Sequence, residues 1–315
     1  GQNLLTRQVL KRAVMTWDYA GNYLPSSPYI SENAYRNHLP LQEDHLWGPR
    51  DYFKGDFYRN TVCHFASETG YHGCPGEETL ARMMHADQLW PIFDENGKIR
   101  PDWLVKSSSM ELDEHAPYAY RVPLMINQVK TMFGQMPKTL PAFVELSQYS
   151  QAEAFKYFIE RFRLSKWRRT GIIWWNLLDG CPQISDAVVD YYFVRKKAYD
   201  DIKRSMQPVA LMFDEPQGGR QTLYGVNDTP ADVTVSYVVN DLVSEKQLCA
   251  GTVTLPADTS LAITDVPTFA DAGTTLHFYV MEWNGEAAGR NHYSTVTRGA
   301  DADAYLTCRK EFEKK

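Results

Sequence analysis

Two apolar periodicities divide this sequence. Before Pro208 apolar residues recur mainly at helical spacing, interrupted by short continuous runs; after it they alternate in steps of two. Leu5, Val9, Leu10, Ala13 and Val14 predict an amphipathic helix over about Leu4–Met15. The prolines of Tyr23-Leu24-Pro25-Ser26-Ser27-Pro28-Tyr29 predict an extended run that ends in a turn. A short segment, Glu43-Asp44-His45-Leu46-Trp47-Gly48, is closed by Gly-Pro. Thr61-Val62-Cys63-His64-Phe65-Ala66 reads as a buried strand that breaks into Ser67-Glu68-Thr69-Gly70. About Pro75–Met84 opens with Pro-Gly-Glu-Glu, placing acids at the positive end of a helix. An irregular stretch with one acid-rich segment spans about 90–117. Helices are predicted over Tyr120–Phe133 and Pro141–Arg163, the second with Phe143, Leu146, Phe155, Phe158, Ile159 and Phe162 as its apolar positions. The basic residues that follow, Arg161, Arg163, Lys166, Arg168 and Arg169, read as a solvated helix end. Gly171–Asp179 reads as a fully buried strand and Arg195–Met206 as a helix.

Beyond Pro208 the runs Val209–Phe213, Thr222–Val226, Val233–Val239, Thr252–Leu255, Ser260–Ile263 and Leu276–Met281 are separated by turn residues such as Asn227-Asp228 and Pro256-Ala257-Asp258. Short strands with no helix between them predict an antiparallel β-sandwich of about ninety residues. The expected organisation is a helix-rich unit over 1–207, a sandwich over 208–300, and a charged tail over 301–315 that is frayed over Arg309–Lys315.

Composition narrows the function classes. With 315 residues the chain can bury a large core, and a formal net charge of -6 argues against a nucleic-acid partner. No apolar run reaches membrane-spanning length, so no membrane partner is expected, and Gly1 opens onto a polar segment without the marks of a signal peptide. Five cysteines form no CxxC pair and leave at least one thiol free in a monomer; metal-ligand spacing is missing, so no structural zinc is expected. The 8 Trp and 19 Tyr suit sugar faces as well as cores.

The candidate chemistry centres on Glu68, where a buried run ends in a carboxylate and then a glycine. That arrangement holds an acid at the rim of a parallel sheet or barrel; the plainer alternative is the first solvated residue after a strand. Trp174 and Trp175 would point to opposite faces of a strand, so one is core and the other free to stack on a ligand. Asp179 either binds a hydroxyl or caps the following turn. Glu145 and Glu160 fall on helices and read as surface residues; His64, four residues before Glu68, reads as a packed, hydrogen-bonded histidine before a supporting one.

Four segments together resemble the C-terminal part of a family 2 glycoside hydrolase, closest to the β-mannosidase branch. Tyr23–Tyr29 resembles the family's Y-x-P-S-S-P-Y strand, and Asp44-His45-Leu46-Trp47-Gly48 resembles G-D-x-H-x-W, with Glu43 in place of the glycine. Phe65–Tyr71 resembles F-x-S-E-[FY]-G-F, whose glutamate is the nucleophile; Gly171–Asp179 resembles G-x-L-Y-W-Q-L-N-D and is followed by Pro182 as in the family. The resemblance covers about residues 3–210. Thr69 and Leu178 depart from the pattern, and the G-N-x-E motif of the general acid/base does not occur.

The resemblance implies an α/β plus all-β fold: the C-terminal half of a (β/α)8 TIM barrel followed by an immunoglobulin-like β-sandwich. It implies a retaining exo-β-glycosidase acting on glycosides or oligosaccharides, β-mannosides first, by two carboxylates. Glu68 would be the nucleophile, His45 a donor to a sugar hydroxyl, Trp47 an apolar wall and Trp175 the sugar-facing indole, with Asp179 as a further substrate contact. No metal or organic cofactor is implied. Half a barrel leaves edge strands open to self-association, and relatives of this kind suggest a periplasmic or secreted setting. The rival expectation is a non-catalytic carbohydrate-binding or interaction fragment.

Overall fold

The computed structural model describes residues 3–109, 118–268, 276–295 and 298–314; the acid-rich segment expected before Pro117 lies outside the described residues. Among the described residues, ten strands form three sheets. The first is parallel and open: β1 (Glu43–Leu46), β2 (Phe65–Thr69) and β3 (Gly171–Trp174) lie in that order. The other two are antiparallel. One takes β4 (Val209–Phe213), β5 (Arg220–Asn227) and β8 (Thr259–Pro267). The other is ordered β10-β9-β6-β7, from β6 (Val233–Asp241), β7 (Lys246–Leu255), β9 (Phe278–Gly285) and β10 (Gly289–Ser294).

Helices pack beside the parallel sheet, chiefly Leu140–Leu164, which buries Phe143, Phe155, Phe158 and Phe162 in one large core with Ala66 and Trp103. Thr139 caps it, its hydroxyl accepting from the Ala142 N–H at 3.5 Å. The two antiparallel sheets share a second core, with Leu211 and Val226 from one and Val235, Met281 and Trp283 from the other. Among the described residues no helix is long and apolar enough to cross a membrane, and no cluster of His, Cys, Asp or Glu could hold a metal ion.

Several expectations are corrected. Only Gly171–Trp174 of the second apolar run is strand, and the run is not fully buried: Ile173, Trp175 and Leu177 are exposed, and β3 lies at the edge of its sheet. The helix near the start is present as Leu5–Val9 and Leu10–Trp17, but none of its residues is buried. The basic helix end is not simply solvated. Arg161 pairs with Asp214, while Arg163 and Lys166 both reach Asp228, so it is tied to the antiparallel strands. Glu160 is buried, not superficial: it accepts from Asn291 Nδ2 at 2.8 Å and pairs with Lys156. Glu145 is half-buried.

The frayed tail is also corrected. Ala302–Glu313 is a helix capped by Asp301 and buried through Tyr305, Cys308, Arg309 and Phe312. Arg309, fully enclosed, grips Asp201 with both terminal nitrogens at 2.9 and 3.0 Å. Beside this pair the Tyr305 hydroxyl donates to Glu153 at 2.6 Å, and His292 of β10 lies 2.9 Å from the same carboxylate. A chain end rich in charge therefore folds because buried opposite charges await it.

This cluster sets an acid limit on stability. Burial alone would push the Glu153 carboxyl up, but the His292 ring and the Arg309 guanidinium outweigh it and hold it at about 2. Burial pushes the His292 ring down to about 4, against the pull of Glu153. In both groups the unfolded chain binds protons more tightly. The Glu153 contribution is complete above the ordinary carboxylate range and is lost as pH falls toward 2, while His292 erodes stability as pH falls from about 6.5 to 4. The unfolding temperature is expected to drop between pH 7 and pH 4, by about 2–4 °C for each kcal/mol lost. Calorimetry showing equal unfolding temperatures at the two pH values would contradict this account.

Candidate active site

Glu68 owes its position to an irregularity in β2. The β1–β2 ladder pairs Asp44 with Ala66 and then His45 with Glu68, passing over Ser67; the β2–β3 ladder slips across the same residues. A regular strand would turn Glu68 to the face of Ala66, which is completely buried. With the bulge, Ser67 and Glu68 are both partly exposed in succession. His45, directly opposite Glu68, and Trp47, just past the end of β1, complete the rim.

One oxygen of Glu68 is held. The Trp47 indole Nε1 donates to Oε2 at 2.7 Å, and His45 Nδ1 stands 3.4 Å from the same atom. Trp47 is itself fixed from two sides. The Arg50 guanidinium lies 5.1 Å from its ring centroid, and Gly70 lets the ring approach so closely that a Cβ there would fall 2.5 Å from an indole carbon. Trp47 is therefore a hydrogen-bond donor to the carboxylate as well as an apolar wall.

Behind His45 lies a group that sequence reasoning missed. Ser27 Oγ is 2.8 Å from His45 Nε2 and donates to Glu43 Oε1 at 2.6 Å; Ser67 Oγ donates to the same oxygen. Burial alone would raise the Glu43 carboxyl, but the hydrogen bonds from Ser27 and Ser67, the Tyr29 backbone and the nearby His45 bring it below its ordinary value. Asp44 goes the other way, raised mainly by burial. The His45 nitrogens thus face Ser27 and Glu68.

Trp175 sits at the same strand end: its N–H donates to Thr69 O at 2.7 Å, its carbonyl lies near Gly70, and its side chain is half exposed. Trp174 is turned the other way, packed against the large core. Asp179 does not join this rim. It is 2 % exposed, and its carboxylate accepts from Gln183 Nε2 at 2.8 Å and Ser185 Oγ at 2.6 Å, so the turn-capping alternative describes its contacts. Burial raises it, against Lys196 and these two donors. His64 lies near the far end of β2, its Nδ1 2.7 Å from Arg168 O. A cavity of about 420 Å³ lined by Trp167, Arg169 and Gly171 opens beside the start of β3, away from Glu68.

Comparison with known proteins fits this geometry. Residues of the chain are 26 % identical, over 212 positions, to β-mannosidase B of Thermothelomyces thermophilus, covering 62 % of this chain and 23 % of that protein. The crystal structure of a β-D-mannosidase from Dictyoglomus thermophilum superposes with a TM-score of 0.75 at 21 % identity, over 95 % of this chain and 36 % of that one. The chain resembles part of a family 2 β-mannosidase. An exo-chitosanase of Amycolatopsis orientalis shares the fold more distantly, with a TM-score of 0.57, 18 % identity, and coverage of 81 % of this chain and 30 % of that one. No family model matches. The chain spans about a quarter of the length of the mannosidase matched by sequence and about a third of the one matched by structure.

Gly70→Ala tests the support of Trp47. The added methyl must displace the indole, so its N–H resonance should shift and stability should fall by about 1–3 kcal/mol. An unchanged Trp47 indole signal in the folded variant would show that the ring does not depend on Gly70.

Proposed function

We propose that this chain is the nucleophile-bearing portion of a retaining exo-β-glycosidase whose substrate is a β-mannoside. In this reading residues 1–207 are the C-terminal half of a TIM barrel, 208–300 an immunoglobulin-like β-sandwich, and 301–315 a charged tail that carries the helix Ala302–Glu313. The observation that carries it is the state of Glu68: a carboxylate at the C-terminal end of the central parallel strand, with one oxygen held by Trp47 and His45. Catalytic groups of barrel enzymes stand at this end of the strands.

The chemistry follows from that geometry. With Oε2 held, Oε1 is the oxygen that attacks the anomeric carbon. The C–O bond to the leaving group breaks as that oxygen takes a proton from a general acid. Water then attacks the glycosyl–Glu68 ester, deprotonated by the same residue, and restores the carboxylate with net retention. The second carboxyl group must stand about 5 Å away. It comes from outside these 315 residues, as the missing G-N-x-E motif suggests, so the chain alone hydrolyses poorly. Trp175 offers an indole face for the sugar at the same rim.

A panel of aryl β-glycosides, mannoside first, tests this reading on three forms: the chain alone, the chain joined to the upstream part of its protein, and the joined form with Glu68→Ala. Mannoside hydrolysis is expected only in the joined form and should fall by on the order of 10³-fold or more in the variant. Appreciable activity from the chain alone would place the general acid within it. Sugar binding without hydrolysis in every form would favour a carbohydrate-binding fragment.

A further inference from the structure

The buried Glu43 carboxylate has no part in the chemistry above, yet it anchors every contact behind His45. We propose that Glu43 is a positioning residue: acting through Ser27, it holds His45 as a doubly protonated imidazolium whose Nδ1–H joins Trp47 in fixing Glu68 Oε2. This rests on Glu68 being the ionised nucleophile.

The argument is a count of hydrogens. Ser27 has one hydroxyl hydrogen, and its oxygen is 2.6 Å from Glu43 Oε1, 2.8 Å from His45 Nε2 and 3.3 Å from Ser67 Oγ. Two oxygens cannot stand 2.6 Å apart without a hydrogen between them. Ser67 Oγ also lies against Glu43 Oε1 and donates there. The Ser27 hydrogen therefore goes to the Glu43 carboxylate, as a charge-assisted bond. Ser27 can then only accept from His45, so Nε2 carries a hydrogen.

The other ring nitrogen faces Glu68 Oε2 at 3.4 Å, an atom that already accepts from Trp47 Nε1. If Glu68 is ionised, a lone pair on Nδ1 would face a carboxylate oxygen; a hydrogen on Nδ1 makes the contact attractive. The charged groups around the ring agree. Glu43 Oε1 is 3.8 Å from Nε2 and Glu68 is on the other side of the ring; Asp44, next in sequence, accepts from the His45 backbone N–H at 2.8 Å. Both charged groups that face the ring are carboxylates, and among the described residues no Lys or Arg pairs with it. The functional consequence is directional. With His45 and Trp47 both on Oε2, the attacking oxygen is selected before any sugar binds.

Nitrogen-15 spectra of this chain, labelled in histidine, read the protonation of each ring nitrogen directly. At pH 7 both nitrogens of His45 are expected to carry protons. In Glu43→Gln, which keeps the shape and removes the charge, the ratio of doubly to singly protonated ring should fall. Ser27→Ala, which breaks the bridge and keeps Glu43, should fall in the same direction, with circular dichroism confirming the fold of both variants. A neutral His45 in the unmodified chain, or a ratio unmoved in both folded variants, would overturn the proposal. Carbon-13 shifts of the Glu68 carboxyl separate the two levels. A neutral ring beside an ionised Glu68 removes only the role of Glu43, whereas a protonated Glu68 removes the nucleophile reading as well.

Discussion

The site depends on two residues of β2 occupying the place of one. β2 is the only strand of the parallel sheet with a ladder on both sides, so its register is fixed by both neighbours. The slip at Ser67 and Glu68 interrupts both ladders together. Without it, Glu68 would follow Ala66 into a core of apolar side chains, where an ionised carboxylate could not be solvated. The bulge frees two consecutive polar residues at once. Glu68 gains the open rim, and Ser67 turns to donate to Glu43. A local departure from regular pairing therefore creates the candidate nucleophile and its supporting network in one step.

Much of this was legible in the sequence. Glu68 could be picked out because it stands where a buried run ends, and ends of parallel strands are where chemistry is displayed; His45 and Trp47 came only from the resemblance of their segment to a known family. The supporting residues were not, because their partnership is not local. Ser27 sits in a bend, Glu43 begins β1, and only the fold brings them onto His45. Asp179 misled for a related reason. The apolar run before it looks like one continuous strand, but the ladder stops at Trp174, and the chain beyond curls inward far enough to bury the aspartate. The conformation after a strand end is set by what the turn can bond, here Gln183 and Ser185, not by the periodicity of the strand.

The same limit explains the antiparallel region and the chain end. Strands rich in Val, Leu and Tyr announced themselves, but β10 carries Arg290, Asn291 and His292 and was not among the predicted runs. Asn291 and His292 are buried because Glu160 and Glu153 on a distant helix accept from them or pair with them. Arg309 likewise reads as a surface charge until Asp201 is placed opposite it. Periodicity detects surfaces that bury apolar groups. It is blind to surfaces where long-range polar pairs do the burying, and this chain uses such pairs where its long helix meets β10.

Glu43 and Glu68 show how one short sheet gives two glutamates different work. Glu43 is enclosed, and its oxygen Oε1 is saturated by two hydroxyl donors that favour the ionised form. It is a fixed charge, unable to reach a ligand. Glu68 is a third exposed, tethered through a single oxygen, and opposite the ring that Glu43 supports. A carboxylate that only ended a strand would gain nothing from being held on one oxygen by an indole that Gly70 and Arg50 press into place. Under the proposed nucleophile reading, preorganisation of that kind leaves the second oxygen free to react, at a cost in packing freedom.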